Sequence, residues 1–223
     1  MPPMRVLPIL FGVFALMVGQ LFGQAAAPAV RSPVAVRDVK FMQVRIGGQE
    51  HPWNRMQVEV QANGSADAKA ATKRWVDKVK VTVTQIYKTD SAKFEDWNYY
   101  RSVATVLTLE VAKPRSVLFY LPGDIVKRDN LRKEPDYYFV EIEVGGTPTE
   151  LFDAKGLLVA EHARAVHRDI SKKDVFDKAK DAANRGVVNT PGILRPQYLL
   201  TFGDQIPAVP PSPEFVREDV PAR

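Results

Sequence analysis

The chain has 223 residues and a formal charge of +5, with 31 Lys and Arg set among 26 Asp and Glu. An excess this small and this dispersed lacks the concentrated basic stripe of a nucleic-acid reader, and the one local group, Lys127, Arg128, Arg132 and Lys133, reads as a solvated loop. The absence of cysteine excludes disulfides, thiolate metal sites, CxxC redox chemistry and cysteine nucleophiles.

In chain order, residues 1–25 read as a cleavable signal peptide. Arg5 supplies the positive end, Val6 to Gly19 the apolar region, and Gly23-Gln24-Ala25 the small residues of a cleavage site. Val6 to Phe22 is nearly long enough to span a bilayer, but Pro8, Gly12 and the small-residue exit favour removal. The expectation is therefore an exported protein, in the periplasm, at the cell surface or outside the cell, with no stable membrane insertion after cleavage. Residues 26–35 read as a flexible leader, and 36–206 as one domain.

Val39 to Ile46 is β-rich and ends at the turn signal Gly47-Gly48. Arg55 to Ala62 alternates strictly, with Met56, Val58, Val60 and Ala62 on one face. Val79, Val81 and Val83 continue the pattern after Trp75, and Tyr87 extends their face. Val103, Thr105, Leu107, Leu109 and Val111 then recur at period two. Val117, Phe119 and Leu121 share a face before Pro122-Gly123-Asp124, which reads as a turn. Tyr138, Val140, Ile142 and Val144 alternate up to Gly145-Gly146, and Asp136-x-Tyr138 has the form of a tyrosine corner. Strand-like pieces follow at Leu157 to Ala160 and Ala165 to His167. Ser171 and Asp174 resemble a capping box for a helix over 172–185, carrying Val175, Phe176, Ala179, Ala182 and Ala183 at helical spacing. Ile193 to Phe202 reads as a last strand or packed segment, and 207–223 as a Pro-rich tail, extended, disordered or docked on a partner. Six or seven period-two strands against one helix imply an all-β fold. The reading is an immunoglobulin-like antiparallel β-sandwich with one C-terminal helix, and the alternative is a small OB-like barrel.

The chain shows no HExxH, GxSxG, phosphate loop or GxGxxG. His51, His162 and His167 have no ligand spacing, and Glu141 with Glu143 reads as a solvated face of one strand. The expectation is a non-enzyme, without catalytic residues, cofactor or metal. The sharpest functional signal is aromatic. Phe94, Trp97, Tyr99 and Tyr100 lie together at a loop and strand start, with Trp53 in a separate loop; such rings stack on sugars or anchor a protein partner. Burial of Trp97, Tyr99 and Tyr100 would rule out sugar stacking through them.

The export signal, Met42-Gln43-Val44-Arg45-Ile46-Gly47-Gly48, the strand Trp53 to Val60 and the segment Trp75 to Tyr87 together resemble verrucomicrobial secreted proteins associated with type IV pilus-like systems. The resemblance covers roughly Val36 to Phe202. It implies an immunoglobulin-like fold and a non-enzymatic role at the envelope, in pilus assembly or surface contact. Neither a prepilin junction nor an N-terminal pilin helix accompanies it. The expected partners are envelope or pilus-like proteins, with a glycan as the alternative, no nucleic acid, and self-association left open.

Overall fold

Two four-stranded antiparallel sheets face each other in the computed structural model, which describes residues 32–64, 73–200 and 210–216. The expected signal peptide, residues 1–25, lies outside the described residues. The first sheet has the order β1 (Val34–Val44), β2 (Trp53–Ala62), β5 (Arg115–Leu121), β8 (Arg195–Pro196). The second has the order β4 (Asn98–Glu110), β3 (Trp75–Tyr87), β6 (Tyr137–Val144), β7 (Thr147–Pro148). Strands one, two and five thus oppose three, six and seven, the immunoglobulin partition, and the fourth strand joins the third at the outer edge. An isolated bridge joins Ala62 to Val111, but no ladder closes the two sheets, so the molecule is a sandwich and not the barrel alternative.

Alternation in the sequence fixes the inner faces. Met56, Val58, Val60 and Ala62 of β2 meet Val79, Val81 and Val83 of β3 and Val117, Phe119 and Leu121 of β5 in one buried cluster. Strand β1 opens at Val34, two residues inside the segment expected as a leader; Ser32 already donates from its Oγ to the Val34 carbonyl. Strand β4 departs from its expected phase. Tyr100, Ala104 and Val106 are fully buried, whereas Val103 and Leu107 are exposed. The cause is local: Lys78, opposite this stretch on β3, has φ of 54°, and beyond it the inward residues become Val76 and Leu109. A left-handed non-glycine residue in a strand reverses which face its neighbours point to.

The expected turn at Pro122-Gly123-Asp124 is the start of a short helix, α1 (Gly123–Arg128), with Pro122 at its N-terminal boundary. The larger helix, α2 (Lys173–Gly186), lies one residue later than predicted and docks Phe176, Ala179, Ala182 and Ala183. Its capping box is absent: Lys172 occupies the N-cap, and the Ser171 hydroxyl donates to the Arg168 carbonyl. Phe176 meets Phe139 of β6 edge-on at 5.2 Å, so α2 covers the outer face of the second sheet. Gly145-Gly146, with φ of 57° and 87°, forms the tight hairpin between β6 and β7. The pieces 157–160 and 165–167 make only isolated bridges, the second pairing Val166 with Phe139.

The Pro-rich tail is docked over 210–216. The Ser116 N–H donates to the Pro211 carbonyl, the Leu107 N–H to the Glu214 carbonyl, and the Val216 N–H to the Thr105 carbonyl. The segment therefore runs along the outer edge of β4 beside β5.

Candidate functional site

The loop between β3 and β4 positions the aromatic group. A 3-10 turn, Phe94–Asp96, closes on Trp97, whose Nε1 donates to the Ser91 carbonyl at 3.0 Å. Ser91 Oγ in turn donates to Asp96 at 2.6 Å, and the Tyr99 hydroxyl donates to the Phe94 carbonyl at 2.9 Å. These bonds hold Phe94 and Trp97 at 4.5 Å between ring centroids, with Phe94 45% exposed and Trp97 half-buried.

The structure divides the five sequence-predicted residues. Tyr99 and Tyr100 are buried on opposite faces of β4, because both faces of that strand are covered there. Tyr100 points between the sheets, 5.9 Å from Tyr87, and donates to Asp129 at 2.6 Å. Tyr99 lies beneath the end of α2, against Gly186. Trp53 is buried within β2, not in a loop, and packs with Val44, Ile46, Leu118 and Tyr120 on the other face of the first sheet. Sugar stacking through Trp53, Tyr99 or Tyr100 is therefore excluded, and only Phe94 and Trp97 of the five present ring surface.

Four further residues that the sequence reading did not assign complete a half-exposed ribbon. Trp97 lies 6.1 Å from Tyr137, Tyr137 lies 5.8 Å from His167, His167 lies 5.6 Å from Tyr138, and Tyr138 lies 5.2 Å from Phe41. The Lys88 ammonium sits 4.6 Å from the Tyr137 centroid and 5.3 Å from that of Trp97, which is cation–π geometry. The Lys88 backbone N–H donates to Asp136, and Asp136 also accepts from Arg132, so the start of β6 is tied to the end of β3. At the Phe41 end the ribbon enters a groove of about 430 Å³ lined by Val39, Lys40, Met42, Glu134, Tyr138 and His167. The adjacent pair Tyr137-Tyr138 was the available signal. Reading Tyr138 as a corner residue hid it: its ring is taken by Phe41 and His167, and Asp136 serves Lys88 and Arg132.

Arg128 holds the Asp129 carboxyl below the usual carboxylate range, and burial, together with Asp129, pushes the Tyr100 hydroxyl up. His162, enclosed beside Glu161, has its pKa lowered by burial. His51 approaches Lys127 at 2.9 Å, and His167 accepts from the Asp169 N–H. Among the described residues no group of three or more His, Asp or Glu is placed to hold a metal. Glu141 and Glu143 are ion-paired with Lys180 and Lys80. Among the described residues no helix is long and apolar enough to cross a membrane.

No protein-family model and no curated protein matches the chain. Among solved structures, the chain is similar to a crystal structure from Akkermansia muciniphila, with 10% identity and a TM-score of 0.45. That match covers 86% of this chain and 97% of the other.

Proposed function

We propose that this chain is an exported, non-enzymatic β-sandwich that works through protein contacts at the cell envelope, as an accessory, assembly or adhesion component of a pilus-like system. The contact surface is the ribbon Phe94, Trp97, Tyr137, His167, Tyr138 and Phe41. The observation that carries this reading is the partial exposure of six rings in unbroken succession at one end of the sandwich, with Lys88 laid over two of them. Aromatic side chains bring large contact area at low rotamer entropy, and clusters of them anchor interfaces. Export rests on the signal-peptide reading of residues 1–25, and the pilus association on the sequence resemblance. The glycan reading keeps Phe94 and Trp97 as its stacking pair.

Crosslinking in intact cells, followed by recovery of the tagged chain, tests the proposal. Envelope proteins should be recovered with the natural chain and lost with a Trp97→Ala, Tyr137→Ala double variant whose unfolding midpoint shows it to be folded. Equal recovery by both chains would remove the ribbon from the interface. Binding to a glycan array that Trp97→Ala abolishes would overturn the protein-contact reading in favour of a carbohydrate-binding module.

A further inference from the structure

The docked tail has the form of a separable plug. Over residues 211–214, Pro213 faces in and is buried while Pro211, Ser212 and Glu214 are exposed. Phe215 is half-buried, pairs directly with Val106, and meets the Tyr198 ring at 5.0 Å. The socket consists of the Leu107 and Ser116 N–H groups, the Thr105 carbonyl and the apolar gap between β4 and β5, all supplied by the body of the sandwich. Among the described residues, three backbone bonds together with Pro213 and the half-buried Phe215 and Val216 hold the plug. Interfaces this small open at low cost compared with the whole fold. In the sequence, residues 201–209 separate the plug from Leu200, a length of chain that spans at most about 36 Å.

We propose that the socket between β4 and β5 accepts the 210–216 segment of a second copy of this chain, so that copies link tail to socket. Every contact made by the plug within its own chain is remade across two chains, so the two forms differ only in tether and association entropy. A short tether gives an effective concentration of order 1 mM, so the exchanged form gains ground as copies are brought to comparable density. Each copy carries both plug and socket, so reciprocal exchange closes into a two-fold dimer and one-way exchange extends into chains. The outer edge of β4 is a place where a strand adds, since the Leu107 N–H and the Thr105 carbonyl already pair with the plug there. This linkage does not depend on which envelope partner the aromatic ribbon contacts.

The chain has no cysteine, so introduced thiols report only on themselves. Leu107 and Glu214 are both exposed and face each other across the antiparallel pairing of β4 with the plug, a hydrogen-bonded position at which Cα atoms lie about 5.5 Å apart, within the reach of a disulfide. A Leu107→Cys, Glu214→Cys double variant of the full chain should close within one molecule on mild oxidation, and its failure to close would overturn the seated plug itself. Equal amounts of the two single variants, mixed and oxidised across a concentration series, should yield a covalent dimer whose mapped disulfide joins residue 107 of one copy to 214 of the other. Its share should rise roughly in proportion to concentration up to about 1 mM. Adding Phe215→Ala to the Glu214→Cys copy should remove it. Closure of the double variant without any such mixed disulfide, or a mixed disulfide insensitive to Phe215→Ala, would overturn exchange between copies.

Discussion

Tyr99 and Tyr100 lie only a few residues from Phe94 and Trp97, and the two pairs have opposite fates. The tyrosines belong to β4, where the facing sheet covers one side and α2 the other, so consecutive residues are both buried. Phe94 and Trp97 belong to the loop that precedes the strand, where Phe94 is exposed, Trp97 is half-buried, and their rings lie against each other, Tyr137 and Lys88. Aromatic density in the sequence therefore marks two different things here. Within a doubly covered strand it builds core, and outside it the same composition builds surface for contact. The difference is set by what covers the backbone, not by ring type.

The largest expected effect comes from breaking the core half. Tyr100→Ala removes a fully buried ring and should cost about 3–5 kcal/mol in urea or thermal unfolding, whereas Tyr100→Phe keeps the ring and loses only the bond to the charged Asp129, about 1.5–3 kcal/mol. A Tyr100→Ala chain within about 1 kcal/mol of the natural one would contradict the assignment of this ring to the core. Next in size is Gly186→Ala, which probes Tyr99 from the helix side. A Cβ there falls 2.1 Å from the Tyr99 ring, inside any real contact distance. Helix propensity alone favours alanine by about 1 kcal/mol, while overpacking costs about 1–3 kcal/mol. The Tyr99 hydroxyl and carbonyl are both engaged, by the Phe94 carbonyl and the Thr190 hydroxyl, so the ring is not free to yield and net destabilisation is expected. A gain in stability would show that Tyr99 is not held beneath α2.

The same distinction explains what was legible in the sequence. Strict alternation placed Met56, Val58, Val60 and Ala62 of β2 correctly on the inner face, although Arg55 and Gln57 on its other face are buried as well. Helix α2 was equally plain from its single stripe, although its N-cap is Lys172 and not the serine the pattern suggested. Strand β4 was read out of phase from Val103 to Leu107 and in phase at Leu109. Its apolar residues occur on both faces, and the reversal opposite Lys78 is a backbone event that no side-chain pattern announces. The five prolines of 207–223, three of them within 210–216, hid the seating of that segment, since proline lacks the N–H that strand pairing uses; here the paired N–H groups come from Ser116, Leu107 and Val216 instead. Of the contact surface, Phe94 and Trp97 were legible as neighbours in sequence. Tyr137, His167 and Phe41 join them only through sheet pairing and loop closure, which bring β1, β6 and residue 167 to one end.

The smallest effect tests whether the exposed half is a unit at all. Lys88→Gln removes a cation from over Trp97 and Tyr137 at an exposed site and should cost about 0.5–1 kcal/mol. That value alone does not separate ring contact from general charge, so the informative quantity is the coupling in a double-mutant cycle with Tyr137→Leu, which keeps apolar bulk and removes the ring face. If the ammonium is attracted to the ring, Lys88→Gln should lose most of its cost in the Tyr137→Leu background. The coupling should also survive high salt better than an exposed ion pair does, since the attraction is to a ring quadrupole at short range. Zero coupling would mean that Lys88 and Tyr137 are neighbours without interaction, and the join between the loop pair and the rest of the ribbon would rest on the 6.1 Å approach of Trp97 to Tyr137 with no help from the cation. A partner reading the ribbon would then meet rings held together by their own packing, and Lys88 would be free to pair with an acidic group of that partner.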